Sequence, residues 1–295
     1  MNIIKYRKMW LYISILMTLV GIAVILIFRP TLGIDFTGGT LVEIKSQNQI
    51  QISEVREKIS EGYKAEEILI QDSGENQFIF RTKIQSENDY KKFEEKLKTT
   101  LPGIDILRHE SIGASVGQDL TRKAIIGIII ASALIIGYLA YAFRTVPRAF
   151  SSWSFGTIAV IALLHDLVFT FAVYTLVGRF AGYEIEGMTV VAALTILGFS
   201  VHDTIVVYDR VRENVIKNPQ KSLAENANNS VNQTIARSLN TSLTVILVLV
   251  AMLLLGGATI KPFILMLTVG IAVGTYSSIF VASPLLVWWY ERKKQ

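Results

Sequence analysis

The chain has 295 residues, of which 51% are hydrophobic, and its mean hydropathy is +0.44. Several apolar runs reach about 20 residues, the length that crosses the hydrocarbon core of a bilayer. This composition predicts an integral membrane protein and argues against a soluble globular one. There is no cysteine, which excludes a disulfide framework, a zinc ribbon and a thiol nucleophile.

The formal net charge of +5 is unevenly distributed along the chain. Residues 35–123 carry 16 acidic and 13 basic side chains, whereas the remainder carries 8 acidic and 16 basic ones. The excess positive charge therefore belongs to the membrane part, where loop cations set topology. It does not indicate a nucleic-acid partner, and we expect none.

The first apolar run, Met9 to Phe28, follows Lys5, Arg7 and Lys8, as the hydrophobic region of a signal peptide would. It is longer than such a region usually is, and no small-x-small cleavage site follows it. We therefore expect an uncleaved first span.

A long polar segment follows the first span and has its own pattern of strands and helices. Apolar periodicity and turn signals predict six elements. They are a strand at Leu41–Ser46, a helix at Ser53–Glu61, a hairpin of Glu67–Asp72 and Gln77–Lys83 around Ser73-Gly74, a helix at Ser86–Leu101 capped by Ser86, and a strand at Ile104–Glu110. The order βαββαβ is that of the ferredoxin-like fold, an α+β arrangement.

Five further apolar stretches bring the number of predicted spans to six. They are Ala124–Phe143, Trp153–Val177, Met188–Tyr208, Leu239–Leu255 and Phe263–Trp289. The predicted fold class is a mainly α membrane protein with six transmembrane helices and a ferredoxin-like extracytoplasmic domain between spans 1 and 2. We place the N-terminus and first span at 1–30, the domain at 31–122, and the other spans with their loops at 123–295.

Loop cations predict the orientation of these spans. With the N-terminus in the cytoplasm, the inside segments hold thirteen Lys and Arg residues, and the two short outside loops hold two. This asymmetry follows the positive-inside rule and places both termini in the cytoplasm. Arg29, Arg122 and Lys123 depart from it, but they flank a long exported segment, for which loop charge has little influence.

Two acids, Asp166 and Asp203, lie well inside the apolar runs. A charged side chain at the bilayer centre costs about 2.5 to 3.5 kcal/mol on the mildest scale, so each needs a partner or a hydrated cavity. Asp203 precedes Arg210 by seven residues, which places it about 10 Å inside the cytoplasmic rim. Ser200 shares its helix face, one turn deeper.

A second polar stripe begins at the cytoplasmic end of the fifth span. Arg237, Thr241 and Thr244 follow an i, i+4, i+7 spacing, which places one cation and two hydroxyls on one helix face. If the fourth and fifth spans pack together, Arg237 can extend toward Asp203 and stabilise its ionised form. A carboxylate that is desolvated in one state and paired in another changes its proton affinity between the two states. These residues therefore predict a proton-coupled function.

Simpler interpretations of the polar residues remain open. Each intramembrane Asp can be a structural hydrogen-bonding residue in a helix interface. His165 and His202 can be proton relays, but a residue next to an acid on a helix points about 100° away from it, which favours a structural or lipid-interface role. The repeated His-Asp pair is also found in metal-dependent phosphohydrolases, but too few other ligands are present for such a site. We expect no bound metal or cofactor.

Sequence motifs of ATP-driven motors and hydrolases are also absent. The chain contains neither the G-x-x-x-x-G-K-[ST] phosphate loop nor a nucleophile elbow. We expect no enzymatic activity, and the energy for any transport would come from an ion gradient.

Five ordered motifs connect the chain to a known family. They are "LGIDFTGGT" at 32–40, "ALLHD" at 162–166, "SVHDTIVVYDRVREN" at 200–214, "QTIARSLNTS" at 233–242 and "LLLGG" at 253–257. Together they resemble the SecF family of the bacterial SecDF protein-export complex, in the RND superfamily. The resemblance covers nearly the whole chain.

The resemblance implies roles for several residues. An Asp in the fourth span and an Arg near the start of the fifth are associated with proton passage in the family, and they fall on Asp203 and Arg237. Asp166 matches another characteristic acid, whose role is less certain. Gly33, Gly38 and Gly39 match the family's glycine motif, and we expect them to give conformational freedom where the first span meets a strand.

The resemblance also implies partners and a location. SecD would supply the second six-span half and the partner acid, and the SecYEG channel, YajC, translocating preproteins and membrane lipids would be further partners, in the bacterial cytoplasmic membrane. The coupling ion would be H⁺ or Na⁺. Two alternatives stay open: half of an RND exporter of lipids or hydrophobic small molecules, and a passive scaffold that assembles other membrane proteins.

Overall fold

The computed structural model describes residues 1–48, 50–60, 68–74, 76–84, 86–144 and 152–293. The helices are α1 Arg7–Phe28, α2 Ile34–Thr37, α3 Ile52–Ser60, α4 Glu87–Thr100, α5 Ala114–Ala142, α6 Ser152–Ala181, α7 Gly187–Lys217, α8 Leu223–Leu255, α9 Lys261–Ser277 and α10 Ser283–Lys293. The strands are β1 Gly39–Ser46, β2 Ile68–Gly74, β3 Gln77–Thr82 and β4 Ile104–Ile112.

Six apolar helical segments in the described part of the chain are long enough to cross a membrane, which confirms the six predicted spans. They comprise α1 with its preceding turn, then α5, α6, α7 and α8, and finally the run of α9 and α10. The last two helices are joined by a π-helical segment at Ser278–Ala282, so the sixth span is one continuous helical run with a local change of pitch. The protein is a multi-pass membrane protein.

Helices α6, α7 and α9 form the interior of the bundle. Their facing surfaces build an apolar core that includes Leu163, Ala193, Ile196, Leu197 and Ile271. The small side chain of Ala193 lets the helices approach, and the larger side chains fill the remaining space. Helices α1, α5 and α8 pack around this interior and leave much of their apolar surface exposed.

The polar domain between α1 and α5 contains an antiparallel sheet with the strand order β2-β3-β1-β4. Alternation along β1 places Val42 and Ile44 in a core with residues of α3 and α4, including Phe93 and Leu97. Leu41, on the opposite face of β1, packs instead with Ile34 of α2 and Ile79 of β3. The sheet therefore has apolar contacts on both faces.

Helix boundaries differ from the sequence predictions where capping residues decide them. Helix α8 begins at Leu223, sixteen residues before the predicted span, because Ser222 and Glu225 form a reciprocal capping box that starts the helix in its polar region. Ser86 is the N-cap residue of α4 as predicted, but its side chain makes no capping hydrogen bond. The predicted ends at Glu61 and Glu67 lie outside the described residues, as does the loop cation Arg148.

Candidate ion site in the helix bundle

Asp166 on α6 is fully buried and joins three helices through hydrogen bonds. Its Oδ2 atom accepts hydrogen bonds from Ser200 Oγ of α7 and Ser277 Oγ of α9, each at 2.6 Å. Its Oδ1 atom lies 3.0 Å from His165 Nδ1. Two serine hydroxyls and the imidazole satisfy this buried acid, so Asp166 is the polar centre of the helix interior.

His165 corrects one expectation from the sequence. Adjacent residues on a helix point about 100° apart, which predicted that His165 would turn away from Asp166. The two side chains nevertheless meet, because each is long enough to bridge that angle at the helix surface. His165 is 6% exposed, and its Nε2 atom has no hydrogen-bond partner among the described residues. Leaving such a group unsatisfied costs about 1 to 3 kcal/mol.

Asp203 on α7 is 2% exposed and faces α8 and α9. Ser242 of α8 donates a long hydrogen bond of 3.5 Å to its Oδ2 atom, and Thr275 Oγ1 of α9 lies 2.5 Å from Ser242 Oγ. Ser238, one turn before Ser242, is buried on the same face of α8. Asp203 is thus surrounded by hydroxyl groups, and the bond it accepts from Ser242 is longer and weaker than those of Asp166.

Ser200 connects the two acids because it lies on α7, one turn from Asp203, and binds Asp166. The sequence predicted that Ser200 and Asp203 share a face, and both side chains are buried. It did not predict the bond between Ser200 and Asp166, since helix packing determines which spans face each other.

Two glycines on α9 allow α7 to approach closely at this point. A Cβ atom on Gly270 would lie 2.3 Å from Ile196 Cδ1, and one on Gly274 would lie 2.9 Å from Ser200 Cβ. Their spacing is the small-xxx-small pattern of packed transmembrane helices. Sequence reasoning missed these residues, although "GIAVG" at 270–274 carries that signal. The pair brings Ser200 within reach of Asp166.

Arg237, Thr241 and Thr244 lie on the exposed face of α8, so the expected contact between Arg237 and Asp203 is absent from this structure. No ion pair joins the two within the described residues. Thr241 Oγ1 donates to the Arg237 carbonyl at 2.9 Å, and Thr244 Oγ1 donates to the Thr241 carbonyl at 2.8 Å.

Helical periodicity explains this arrangement. Arg237 directly precedes Ser238, and Thr241 directly precedes Ser242, so each pair is about 100° apart around the helix axis. The buried Ser238 and Ser242 therefore occupy the inner face that was predicted for Arg237 and Thr241. His202 likewise lies on the exposed side of α7, one position before Asp203.

The N-terminal end of α7 is bonded to the polar domain. Asp35 Oδ2 accepts a hydrogen bond of 2.6 Å from the backbone amide of Gly187, the first residue of α7. An acid at this position also interacts favourably with the helix dipole. Ser200 lies 13 residues further along α7, about 20 Å away, so one helix joins the domain to the buried acids.

Arg81 of β3 makes the main charged contact of this junction. Its Nε atom lies 3.1 Å from Glu184 Oε2, and its Nη2 atom lies 2.9 Å from Glu186 Oε1, in the loop between α6 and α7. Arg81 and Glu184 are 11% and 9% exposed. Burial raises the pKa of the Glu184 carboxyl above its usual value, and the positive charge of Arg81 opposes that rise.

The glycine motif after α1 shapes the same junction. Gly38 and Gly39 have φ angles of 72° and 133°, and a Cβ atom on Gly39 would lie 2.3 Å from the Thr82 carbonyl oxygen. Both therefore need the conformational freedom that the sequence predicted. Gly33 differs, because its φ of −72° is ordinary. It is needed for close approach, since its amide donates to the Ile185 carbonyl at 2.8 Å and a Cβ atom would lie 2.8 Å from Glu186 Cγ.

Family models match both the helix bundle and the glycine motif. Residues 92–292 match the model described as protein export membrane protein SecD/SecF, C-terminal, which covers more than half of the chain. The chain belongs to this SecD/SecF family. Residues 23–50 match a second model, the SecD/SecF GG motif. The resemblance to SecF seen in the sequence is thereby confirmed.

Individual relatives agree with this assignment. A protein translocase subunit SecF of Thermobaculum terrenum is 38% identical over 99% of this chain and 94% of its own length. A protein translocase subunit SecDF of Thermus thermophilus is 35% identical over 88% of this chain and 35% of its own length. In that protein, the region like this chain is fused to a longer remainder, which supports a partnership with SecD.

A solved structure extends the likeness to the fold. The crystal structure of SecDF, a translocon-associated membrane protein from Thermus thermophilus, matches with a TM-score of 0.87 at 32% identity. The match covers 99% of this chain and 39% of that one. This chain therefore spans about two fifths of the solved SecDF chain. Its family establishes a role in protein export.

Proposed function

We propose that this chain works with SecD to assist preprotein translocation through the SecYEG channel and that an inward flow of H⁺ or Na⁺ supplies the energy. The single observation that carries the proposal is Asp203, a carboxylate at 2% exposure among hydroxyl groups inside a spanning helix. Ionisable groups at that depth are expensive, and they mark ion pathways more often than structural sites. One elementary charge that crosses 100 mV releases about 2.3 kcal/mol.

Asp203 loads and releases the ion in this proposal. A carboxylate oxygen with nearby hydroxyls can bind either a proton or a sodium ion, since both favour hard oxygen groups. Asp166 is the second acid, held by Ser200 and Ser277. Arg237 influences the charge state of the pathway from the exposed face of α8, which we place against SecD. No enzymatic step, cofactor or resident metal is required.

We place the protein in the bacterial cytoplasmic membrane, with both termini in the cytoplasm and the polar domain outside. The excess of loop cations on the terminal side supports this orientation. We classify the domain as ferredoxin-like, because its βαββαβ element order and its antiparallel β2-β3-β1-β4 sheet fit that fold. YajC and membrane lipids complete the set of proposed partners.

Helix α7 couples ion binding to the domain. It carries Ser200 and Asp203 in its middle, and its first turn is bonded to Asp35 of the domain. A shift of α7 that follows a change of charge at Asp203 would therefore be transmitted to the domain through this end. Packed helices move as rigid elements between discrete arrangements, which suits such transmission.

Translocation of a preprotein into proteoliposomes that contain this chain, SecD and the Sec channel tests the proposal. With an imposed ion gradient, Asp203→Asn should lower the gradient-dependent part of translocation by about 100-fold or more, the range for loss of a group that transfers protons. Asp209→Asn is the matched control, because Asp209 lies on the same helix but is exposed and paired with Arg212. Gradient-dependent translocation that survives in Asp203→Asn would contradict the proposal.

A further inference from the structure

A groove with a volume of about 870 Å³ lies between α1, α6 and the run from Val281 to Arg292. Along α1 it extends from Arg7 to Thr18, eleven residues or about 16 Å. That depth is about half of a bilayer core. The groove thus connects the end of the bundle that holds Arg7 and Arg292 with the middle of the membrane.

The groove includes His165 in its deeper half, where the ring lies between the groove and Asp166. His165 lines the groove, and its Nε2 atom has no partner among the residues that the structure describes. Its Nδ1 atom, on the other side of the ring, lies 3.0 Å from Asp166 Oδ1. Asp166 is itself 0% exposed and does not line the groove. The imidazole therefore separates the carboxylate from the groove.

One tautomer of His165 suits the contacts of Asp166. Ser200 and Ser277 both donate to Oδ2, which leaves Oδ1 to pair with Nδ1 of the ring. In the tautomer that we assign, Nδ1 carries the proton that Oδ1 of the ionised carboxylate accepts, and Nε2 carries a lone pair. His165 lines a groove formed by side chains of three helices, and its buried Nε2 atom lacks a partner that water entering from the groove can supply.

We infer that His165 exchanges protons between water in this groove and Asp166. A hydronium ion in the groove gives a proton to Nε2 and becomes water, and the proton on Nδ1 passes to Asp166 Oδ1. One O–H bond of hydronium and the Nδ1–H bond break, while an Nε2–H bond and an O–H bond on the acid form, so the ring stays neutral and Asp166 becomes neutral. Release toward the groove reverses these steps. The inference rests on the proposed ion-driven function and adds a route to its second acid.

Charged groups elsewhere in the groove lie at its rim. Arg7 of α1 pairs with Glu291 of α10 at 2.6 Å, and Arg292 stacks on Trp288 at 4.6 Å from the ring centre. Lys8 of α1 is exposed beside them.

Tyr276 of α9 is the titratable neighbour of His165 in the interior, with 6.3 Å between ring centres. Ser14 of α1 approaches the Tyr276 hydroxyl at 3.5 Å. Asp166 is therefore the acid in direct contact with the imidazole among the described residues.

Thiol labelling tests whether water fills the groove, and the natural chain has no cysteine to interfere. Thr18→Cys places a thiol at the deep end of the groove, while Leu19→Cys places one on the 59% exposed, membrane-facing side of the same helix. In lipid nanodiscs, a charged methanethiosulfonate reagent should modify Thr18→Cys and leave Leu19→Cys intact. No reaction at Thr18→Cys, as for a groove filled by a lipid chain, or equal reaction at both sites, would overturn the inference.

Proton exchange at Asp166 is measured by time-resolved infrared spectroscopy after a pH jump, and Asp166→Asn identifies the carboxyl band. His165→Ala should slow exchange by about tenfold or more, and added imidazole, which fits the groove, should restore it. His165→Gln keeps a donor for Asp166 but cannot relay a proton, so it should fold normally and still exchange slowly. Unchanged rates, or slow exchange that imidazole does not restore, would overturn the relay.

These outcomes are separable from those of the proposed function. Exchange at Asp166 is measured on this chain alone and needs no translocation, whereas the Asp203→Asn experiment measures translocation and does not involve His165. If Asp203→Asn leaves translocation unchanged while His165→Ala slows exchange, the export mechanism fails and the relay stands.

Discussion

The three inner and three outer spans of the bundle accommodate polar groups in a membrane differently. In α6, α7 and the α9–α10 run, between 50% and 67% of the residues in the most apolar 18-residue stretch are buried, against 6% to 17% in α1, α5 and α8. The inner helices carry both intramembrane acids, and internal hydroxyls satisfy Asp166. In the outer helices, most exposed residues are apolar, as a lipid environment requires.

Helix α8 departs from this division. Its inner face supplies Ser238 and Ser242 near Asp203, while its exposed face carries Arg237, Thr241 and Thr244. An exposed arginine and two threonines on a spanning helix suit contact with another protein surface. In the proposed function, SecD covers this side of the bundle.

The largest expected effect on stability comes from a change at the loop that joins the inner helices α6 and α7. Arg81→Gln leaves the buried Glu184 without its cation, and removal of one partner from a buried ion pair costs about 3 to 5 kcal/mol. The change should lower the free energy of unfolding, measured by thermal denaturation in detergent. Arg108→Gln is the control, because Arg108 and its partner Glu110 are about 40% exposed. It should cost less than about 1 kcal/mol.

The cost of Arg81→Gln should also depend on pH. Burial raises the pKa of Glu184, and loss of Arg81 raises it further. An acid with a raised folded pKa loses stability as the pH rises from its unfolded pKa through its folded pKa. The melting temperature of Arg81→Gln should therefore fall further below that of the natural protein at about pH 8 than at about pH 5. Equal differences at both pH values would show that Glu184 is not the responsible group.

A smaller loss should follow from Gly274→Leu, which breaks the close packing of two inner helices. Its side chain would displace Ser200, because even a Cβ atom would lie 2.9 Å from the serine Cβ. Overpacking of this kind costs about 1 to 3 kcal/mol. Thermal denaturation and the infrared band of Asp166 should both change. Gly198→Leu on α7 has open space around it and should change neither. If both variants change the melting temperature and the Asp166 band equally, close packing at Gly274 does not position the side chains around Asp166.

The smallest effect on stability should come from the outer face of α8. Arg237→Gln removes an exposed cation, so the free energy of unfolding of this chain alone should change by less than about 0.5 kcal/mol. In the complex with SecD, the same variant should reduce gradient-dependent translocation. Loss of stability in the isolated chain would instead indicate that Arg237 has a partner within this bundle.

Local patterns predicted the elements, but not how the elements meet. The length and hydropathy of each span, the buried acids and the positive φ at Gly38 and Gly39 follow from residue chemistry along the chain. The bonds of Asp166 to Ser200 and Ser277 depend on helix packing, which periodicity does not determine. The expected pairing of Arg237 with Asp203 was wrong for this structure, because a rotation of one residue along α8 exchanges the inner and outer faces.

A measurement of the charge state of Asp203 in the working complex tests the account most directly. Isotope-edited infrared spectroscopy can follow its carboxyl band in proteoliposomes with SecD, and Asp203→Asn identifies that band. As the pH or the sodium concentration on one side is varied, the account predicts that the band alternates between the ion-loaded and free forms while preprotein moves. A band that stays constant under all conditions, while gradient-dependent translocation continues, would contradict it.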